Sequence, residues 1–353
     1  MAYRVIQWAT GNVGRAAIEG ILSHPELELV GAWVHSEAKV GRDVGEICGV
    51  GPIGVCATND VDALLATDAD CVLYSPIMAQ TPEVIRILAS GKNVVTPLGW
   101  FFPFRMSDVT EVEEACREGG VTLHGTGIHP GGITERFPLV VSGLSREIRH
   151  VRAEEFSDIR TYDAEFVVRE LMLFGKSPEE ARQSPMLRML GSGFQQSIDM
   201  VAHALGMRLD SEKLATQEMA VATAPIDTPW GAIEPGTVAA QRFTWQGTVR
   251  GEPVITVRVN WLMGEENLDP AWRLDGERFE VEVTGDPPVR LTFEGLHPES
   301  LEAGVQRNAG VVATAMHCVS AIPAVCEAAP GIRTYLDLPM YAGRAAPDLL
   351  PES

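Results

Sequence analysis

Two rhythms of apolar and polar residues divide the chain. Over the first 125 residues short apolar runs alternate with amphipathic stretches, the pattern of a parallel sheet covered by helices. Tyr3 to Ala9 predicts a strand, and Gly14 to Ser23 a helix carrying Ala17, Ile18, Ile21 and Leu22 on one face. Leu27 to Val34, Cys71 to Tyr74 and Val94 to Val95 follow as strands. The last is preceded by a helix with Thr81 as N-cap and Pro82 as its first residue. Asp108 and Glu111 have capping-box spacing for a helix that ends near Gly119-Gly120, before a strand from Val121 to His124.

Beyond GTGIHPGG (Gly125 to Gly132) the pattern changes. Val151 to Asp158 has strand character, and helices then cluster: Asp163 to Phe174, one opened by Ser177, Pro178 and Glu180, and Phe194 to Leu205, closed by Gly206. From Thr237 to Phe293 alternation of period two predicts antiparallel strands. Ile255, Val257, Val259 and Trp261 face one way, and Thr256, Arg258 and Asn260 the other. Ala309 to Ala328 is an apolar helix, and the tail after Ala342 reads as frayed.

Length and charge narrow the functional classes. The 353 residues leave room for two domains of ordinary size, each with its own core. Forty-eight acidic against 28 basic side chains give a net charge of −20, which repels nucleic acid and anionic membrane surfaces. A phosphate-bearing ligand must therefore be held by local groups. Arg4 and Gln7 interrupt the apolar run at the N-terminus, so neither a signal peptide nor a membrane anchor is expected there. No stretch approaches about eighteen unbroken apolar residues. The cysteines at 48, 56, 71, 116, 318 and 326 form no CxxC motif and mostly fall in apolar segments, as expected of reduced thiols in a cytoplasmic protein. The histidines are scattered, and no metal site is expected.

The stretch RVIQWATGNVGRAAIEGIL sets Gly11, Asn12, Val13, Gly14 and Arg15 between a strand and a helix. There a dinucleotide pyrophosphate meets the amides and positive end of the helix. Ala9 stands in the place of the first glycine of GxGxxG, so the assignment rests on the strand-turn-helix context, with a plain turn containing two glycines as the alternative. Strand two ends in Val34-His35-Ser36, where an NAD site places an acid for the ribose hydroxyls. Ser36, Lys39 and Arg42, with Arg15, suit a 2′-phosphate instead. NADP is therefore the expected cofactor; Glu37 keeps NAD open, and a solvated loop is the bland reading. Ser75 and Thr96, ending two further strands, are expected along the same crevice. VVTPLGWFFPF (Val94 to Phe104) puts Trp100, Phe101 and Phe102 just past a strand, either as the wall of an apolar substrate pocket or as a plug at the domain interface.

Three stretches resemble known proteins. GRDVGEICG (Gly41 to Gly49) resembles the GxDxGEL segment of dihydrodipicolinate reductases. HGTGIHPGGITERFPLVVSG (His124 to Gly143) and IPAVCEAAPGIRTYLDLP (Ile322 to Pro339) are similar to the domain junction and C-terminal signature of 2,4-diaminopentanoate dehydrogenase and the native amine dehydrogenases. The resemblance implies an α/β protein with an NAD(P)-binding Rossmann domain over residues 1–130 and a C-terminal α+β domain with an antiparallel sheet over 131–308. That second domain would supply much of the substrate pocket and a homodimer contact, and residues 309–353, the last helix and tail, would pack back on the first. The chemistry implied is NAD(P)-linked hydride transfer at a C–N centre. Two departures matter. The His-His and Lys run of dihydrodipicolinate reductases is replaced by EEFSDIRTYDAEF (Glu154 to Phe166), which argues against lysine-pathway reduction. Where the amine dehydrogenases place a glutamate after the strand ending NVV, this chain has Pro97-Leu98-Gly99-Trp100.

Without that carboxylate the hydride step remains possible, because it belongs to the cofactor, while activation of ammonia loses a proton acceptor. The candidate acid-base groups are His129 in the junction loop, and Asp158, Arg160 and Tyr162 at the end of the strand that opens the second domain. Each has a structural reading: His129 fixing its loop, Asp158 and Arg160 forming an ion pair. Glu135 and Arg136 start a helix, where an acid favours the dipole. Phe194, Ile198, Val201, Trp245, Trp261 and Trp272 read as core packing. The expected protein is an NAD(P)-dependent oxidoreductase moving hydride to or from an apolar carbonyl, imine or amine held between the domains, with no nucleic-acid or membrane partner. An ammonia-independent carbonyl or C=C reductase and a catalytically silent NAD(P)-binding sensor are the alternatives.

Overall fold

Two seven-stranded sheets organise the chain. The structure, a computed structural model, describes residues 2–105, 108–162 and 164–349, without the side chains of 305 and 347. The chain opens with β1 (Tyr3–Trp8), α1 (Asn12–Ser23), β2 (Leu27–Trp33), α2 (Val44–Cys48), β3 (Ala57–Thr58), α3 (Val61–Leu65), β4 (Cys71–Tyr74), α4 (Thr81–Ala89), β5 (Asn93–Thr96), α5 (Thr110–Gly119) and β6 (Thr122–Gly125). Next come α6 (Phe137–Ser142), β7 (Arg146–Asp158), α7 (Pro178–Gln183), α8 (Met186–Ala204), β8 (Leu214–Ala222), β9 (Ile226–Thr228), β10 (Gly231–Ile233), β11 (Val238–Val249) and β12 (Glu252–Leu262). The chain closes with β13 (Leu268–Asp269), β14 (Arg278–Asp286), β15 (Val289–Phe293), α9 (Leu301–Gln306), α10 (Ala309–Cys326) and β16 (Gly331–Ile332).

Residues up to 131 and those from 311 onward fold as one unit. Its sheet has the order β16-β6-β5-β4-β1-β2-β3, parallel throughout. This is the Rossmann arrangement, and the order reverses beside β1, where the carboxyl ends of β1 and β4 open a crevice. Every residue of β4 and β5 is buried, as parallel strands covered on both faces require. On one face Ala17, Ile18 and Ile21 of α1 share a core with Ala315, Cys318, Val319 and Ile322 of α10. On the other, Val84, Ile87 and Leu88 of α4 meet Val112, Ala115 and Cys116 of α5. The run Leu301–Cys326 is long and apolar enough to cross a membrane by length and composition alone, but here α10 supplies core residues to this unit.

Residues 132–310 form the second unit. Its sheet, β13-β8-β11-β12-β7-β14-β15, is antiparallel except where β7 meets β12. The period-two pattern sorts its faces. Val257, Val259, Phe243, Trp245 and Val283 join a core with Phe194, Ile198 and Val201 of α8. The opposite face carries an ion network in which Arg152 reaches Glu154, Glu280 and Glu282, while Arg258 and Asn260 also reach Glu154. Trp272 lies under the Arg242 guanidinium, 4.8 Å from it.

Several boundaries differ from expectation. Helix α1 starts at Asn12 rather than Gly14, and α8 at Met186 rather than Phe194. Thr81 is the first residue of α4, with Gln80 as its cap, and Asp108 accepts the Thr110 amide one place ahead of the α5 cap, Val109. The helix expected from Asp163 begins outside the described residues; within them, Val167–Leu171 forms a π-helical turn. In the tail Arg344 reaches back to Glu26 at 3.1 Å, where fraying was expected.

Candidate cofactor and acid-base groups

Four residues build the first crossover. Ala9 sits at φ 76°, the left-handed conformation that explains why a glycine is usual there. Gly14 lies so close to the turn that a Cβ would overlap the Ala9 carbonyl and come within 3.0 Å of the Gln7 amide nitrogen. That Gln7 amide, fully buried, donates to Ala9 O at 2.9 Å and to Ser75 Oγ at 2.9 Å, which locks the turn to the end of β4. Gly11 caps α1 without a side chain, and the first turn holds no acid. A Cβ added at Gly11 meets nothing within 4 Å. The exposed positive end of a twelve-residue helix with an open glycine before it fits a pyrophosphate.

Past β2 the charged groups separate by sign. Glu37 is turned aside, its Oε1 accepting from Asn59 Nδ2 at 2.8 Å. Lys39 leans the other way, its ammonium 3.1 Å from Thr10 Oγ1 at the crossover. Arg15 Nη2 donates to Cys48 O, at the end of α2, at 3.3 Å. His35, Ser36 and Arg42 are exposed nearby in sequence. Of the groups expected to suit a 2′-phosphate, Lys39 is the one bonded to the crossover among the described contacts, and Glu37 is engaged by Asn59.

The ends of β5 and β6 are joined by Thr126 N donating to Thr96 O at 2.9 Å. Thr96 is fully buried, and its Oγ1 accepts the Leu98 amide at 3.2 Å. Gly125 explains the path that follows: a Cβ there would run into Gly99 O and lie 2.6 Å from the Trp100 carbonyl carbon. Trp100 turns at φ 56° and packs against the cluster of α4 and α5, while Phe101 and Phe102 are buried. His129 is half-buried at the tip of a tight loop closed by a bridge between Ile128 and Gly131.

In the second unit Asp158 and Arg160 form a forked ion pair, with Nε to both carboxylate oxygens at 3.0 Å and Nη2 at 2.5 Å. Asp158 also caps the turn Ile159–Thr161 through the Arg160 amide. These contacts occupy both groups. Tyr162 is half-buried, and burial pushes its phenol above the ordinary 10.0, so it carries its proton at neutral pH. Beside them lies a cluster drawn from distant parts of the chain. Ser157 Oγ bonds Glu155 Oε1 at 2.7 Å and His297 Nε2 at 2.8 Å, and Trp261 Nε1 donates to the same Glu155 oxygen. Glu277, accepting the Asp158 amide at 2.7 Å, is pushed by burial from 4.5 up to about 7. Glu135, expected only to favour a helix dipole, is fully buried and accepts from the hydroxyls of Thr134 and Ser197.

The profile of the 2,4-diaminopentanoate dehydrogenase C-terminal domain matches residues 133–347, and that of the dihydrodipicolinate reductase N-terminus matches 5–96. An amine dehydrogenase of Streptomyces virginiae is 32% identical over 95% of this chain and 96% of its own length. The chain belongs to this amine and 2,4-diaminopentanoate dehydrogenase family. A 2,4-diaminopentanoate dehydrogenase of Acetoanaerobium sticklandii is 26% identical over 96% of the chain and 93% of its own. The amine dehydrogenase structure from Mycobacterium smegmatis shares the fold, with a TM-score of 0.78 at 21% identity and 98% coverage of both chains. As a member of the family the protein is an NAD(P)-dependent oxidoreductase.

Within this amine dehydrogenase-like chain, Gly11 to Gly14 follow β1, Ser75 follows β4 and Thr96 ends β5 in one parallel sheet, and Lys39 bonds Thr10 after β1. Sequence reasoning missed Gln7, Gly125, Glu155, Ser157, Glu277 and His297. Gln7 alone had a signal: a polar side chain inside an otherwise apolar parallel strand, which burial must satisfy.

Proposed function

We propose that this protein is an NADPH-preferring oxidoreductase acting on an apolar amine and the imine or carbonyl related to it. The match to an amine dehydrogenase over nearly the whole of both chains carries the reading. The bound dinucleotide would supply or accept the hydride. Gly11, Asn12, Val13 and Gly14 would hold its pyrophosphate. Arg15, Ser36, Lys39 and Arg42 would bind the 2′-phosphate, with Lys39 aimed at the crossover by its bond to Thr10. Thr96 keeps the ends of β5 and β6 together, and Phe101 and Phe102 exclude water from the turn that follows. His129 and Tyr162 are the proposed proton donors, with Asp158 and Arg160 acting as a pair that fixes the turn leading to Tyr162. A homodimer through the polar face of the second sheet and a cytoplasmic location complete the proposal.

The turn from Pro97 to Phe104 contains no carboxylate, which favours ammonia-independent carbonyl reduction as a second reading. The cofactor arm is tested with Lys39→Ala. Titrated by nicotinamide fluorescence, the wild type binds NADPH at least about tenfold more tightly than NADH, because a charge-assisted phosphate contact contributes about 1.5–3 kcal/mol. The variant loses most of that ratio while NADH affinity stays within about twofold. Equal affinity for the two cofactors in the wild type overturns the NADP preference.

A further inference from the structure

We infer that the C-terminal signature and α10 position the loop that carries His129, acting through one polar cluster of His124, Thr126 and Tyr341, which are buried, and His317 and Tyr335, which are half-buried. The kinetic consequence rests on the cofactor reading above; the anchoring does not. The cluster lies wholly in the first unit and begins where the signature adds β16 to the sheet, Gly331 pairing with Thr122 and Ile332 with Leu123. The Arg333 amide continues the register by donating to Leu123 O at 2.9 Å. Thr334 is then fixed by Asp337, whose carboxylate accepts from the Thr334 amide and hydroxyl at 2.8 and 2.9 Å. This places the tyrosines at 335 and 341 against the end of β6.

The donors can be assigned from their partners. His124 Nδ1 faces the Arg333 carbonyl at 2.7 Å, which only accepts, so that nitrogen carries the proton. In the neutral ring Nε2 is then the acceptor, and Tyr341 OH lies 3.5 Å from it. Thr126 Oγ1, buried with His124, lies 3.4 Å from the Tyr341 oxygen and 2.9 Å from His317 Nδ1, and it bonds Tyr335 OH directly. Tyr335 OH also reaches His317 Nδ1 at 3.1 Å. The Thr126 hydroxyl is the hub: it bonds His317 of α10 and Tyr335 and lies within reach of Tyr341.

Thr126 is also the first residue past β6. Its amide ties that end to Thr96 of β5. Immediately after it, a Cβ on Gly127 would lie 3.1 Å from Pro130 O, tighter than ordinary contact, and in ordinary contact with Pro97 Cβ at 3.4 Å and Thr314 Cγ2 at 3.6 Å. Gly131 folds back onto Gly127, where a Cβ would lie 2.6 Å from the Gly127 nitrogen. The tip with His129 thus hangs from Thr126, and a shift at the hub moves both Thr96 and His129. Hydride transfer tolerates little such motion, since a misplacement of about 1 Å costs roughly a hundredfold in rate. Tyr335 and His317 are positioning residues, acting through Thr126.

Hydrogen-deuterium exchange of the cofactor-free protein, followed by mass spectrometry on peptides covering residues 121–131, tests the anchor in Thr126→Val, Thr126→Ser and Tyr335→Phe. Thr126→Val and Tyr335→Phe are expected to exchange at least about tenfold faster there than wild type. Thr126→Ser, which keeps the hydroxyl, should match wild type. Wild-type exchange in both hydroxyl deletions, or equal acceleration in the Ser variant, overturns the anchor. In turnover assays the two deletions should lower kcat about tenfold or more with the NADPH Kd within about twofold; unchanged kcat overturns the positioning role. If the wild type fails to bind NADPH, the cofactor reading falls, while the exchange data still decide the anchor.

Discussion

Ala9 is where a single methyl works against the fold that surrounds it. At φ 76° an L side chain crowds the following carbonyl, and the residue is kept there because Gln7 holds its carbonyl and Gly14 brings α1 against it. Left-handed strain for a residue with a Cβ is about 1–2 kcal/mol, and the extra unfolded-state entropy of glycine offsets about 0.4–1 kcal/mol of any relief. Ala9→Gly is therefore expected to raise unfolding free energy by about 0.5 kcal/mol in urea titration. A loss of stability would mean that the methyl is packed rather than strained. The same arithmetic explains why the glycine motif was only partly legible in the sequence: two of its glycines were visible, but the turn conformation at Ala9 was not.

At the scale of elements, legibility followed sequence distance. Cys71 to Tyr74 was readable to its bounds as a short, wholly apolar parallel strand, and the helix opened by Ser177, Pro178 and Glu180 starts there, closed at its N-terminus by a capping box. Asp158 and Arg160 were readable as a pair because they sit two residues apart on one chain end. Strands β3 and β16 have two residues each, too few to show any period. The bond between Ser157 and His297 spans 140 positions, and Glu277 reaches Asp158 only because β7 and β14 run side by side. Burial of Glu277 beside that pairing makes stability depend on pH. Glu277 titrates near 7 in the folded protein against an ordinary 4.5, so the native state binds the extra proton between those values. Its contribution is fully present below pH 4.5 and is lost as pH rises through about 7. Glu277→Gln keeps an acceptor for the Asp158 amide and removes the titration. The variant should gain about 1–2 kcal/mol on wild type between pH 4.5 and 8 once partial exposure is allowed for. Parallel stability profiles for the two proteins would contradict the assignment.

At the scale of the whole molecule, the acidic net charge, the parallel first unit and the mixed sheet of the second converge on an NAD(P)-dependent oxidoreductase whose family was legible from the junction and C-terminal signatures. The glycine turn was legible because one short motif carries it between a strand and a helix. The proposed proton donors, His129 and Tyr162, were legible as candidates, while the bond of Ser157 to His297 was not, because it joins residues 140 positions apart. The departure from its relatives at Pro97 to Trp100 bears on ammonia, not on hydride. The most direct measurement is NADPH oxidation by the purified protein with a panel of apolar ketones, recorded with and without ammonium, with the product identified by mass spectrometry. The account predicts a rate that rises and saturates with ammonium and a primary amine as product. A rate that ignores ammonium, with only the alcohol formed, would contradict it.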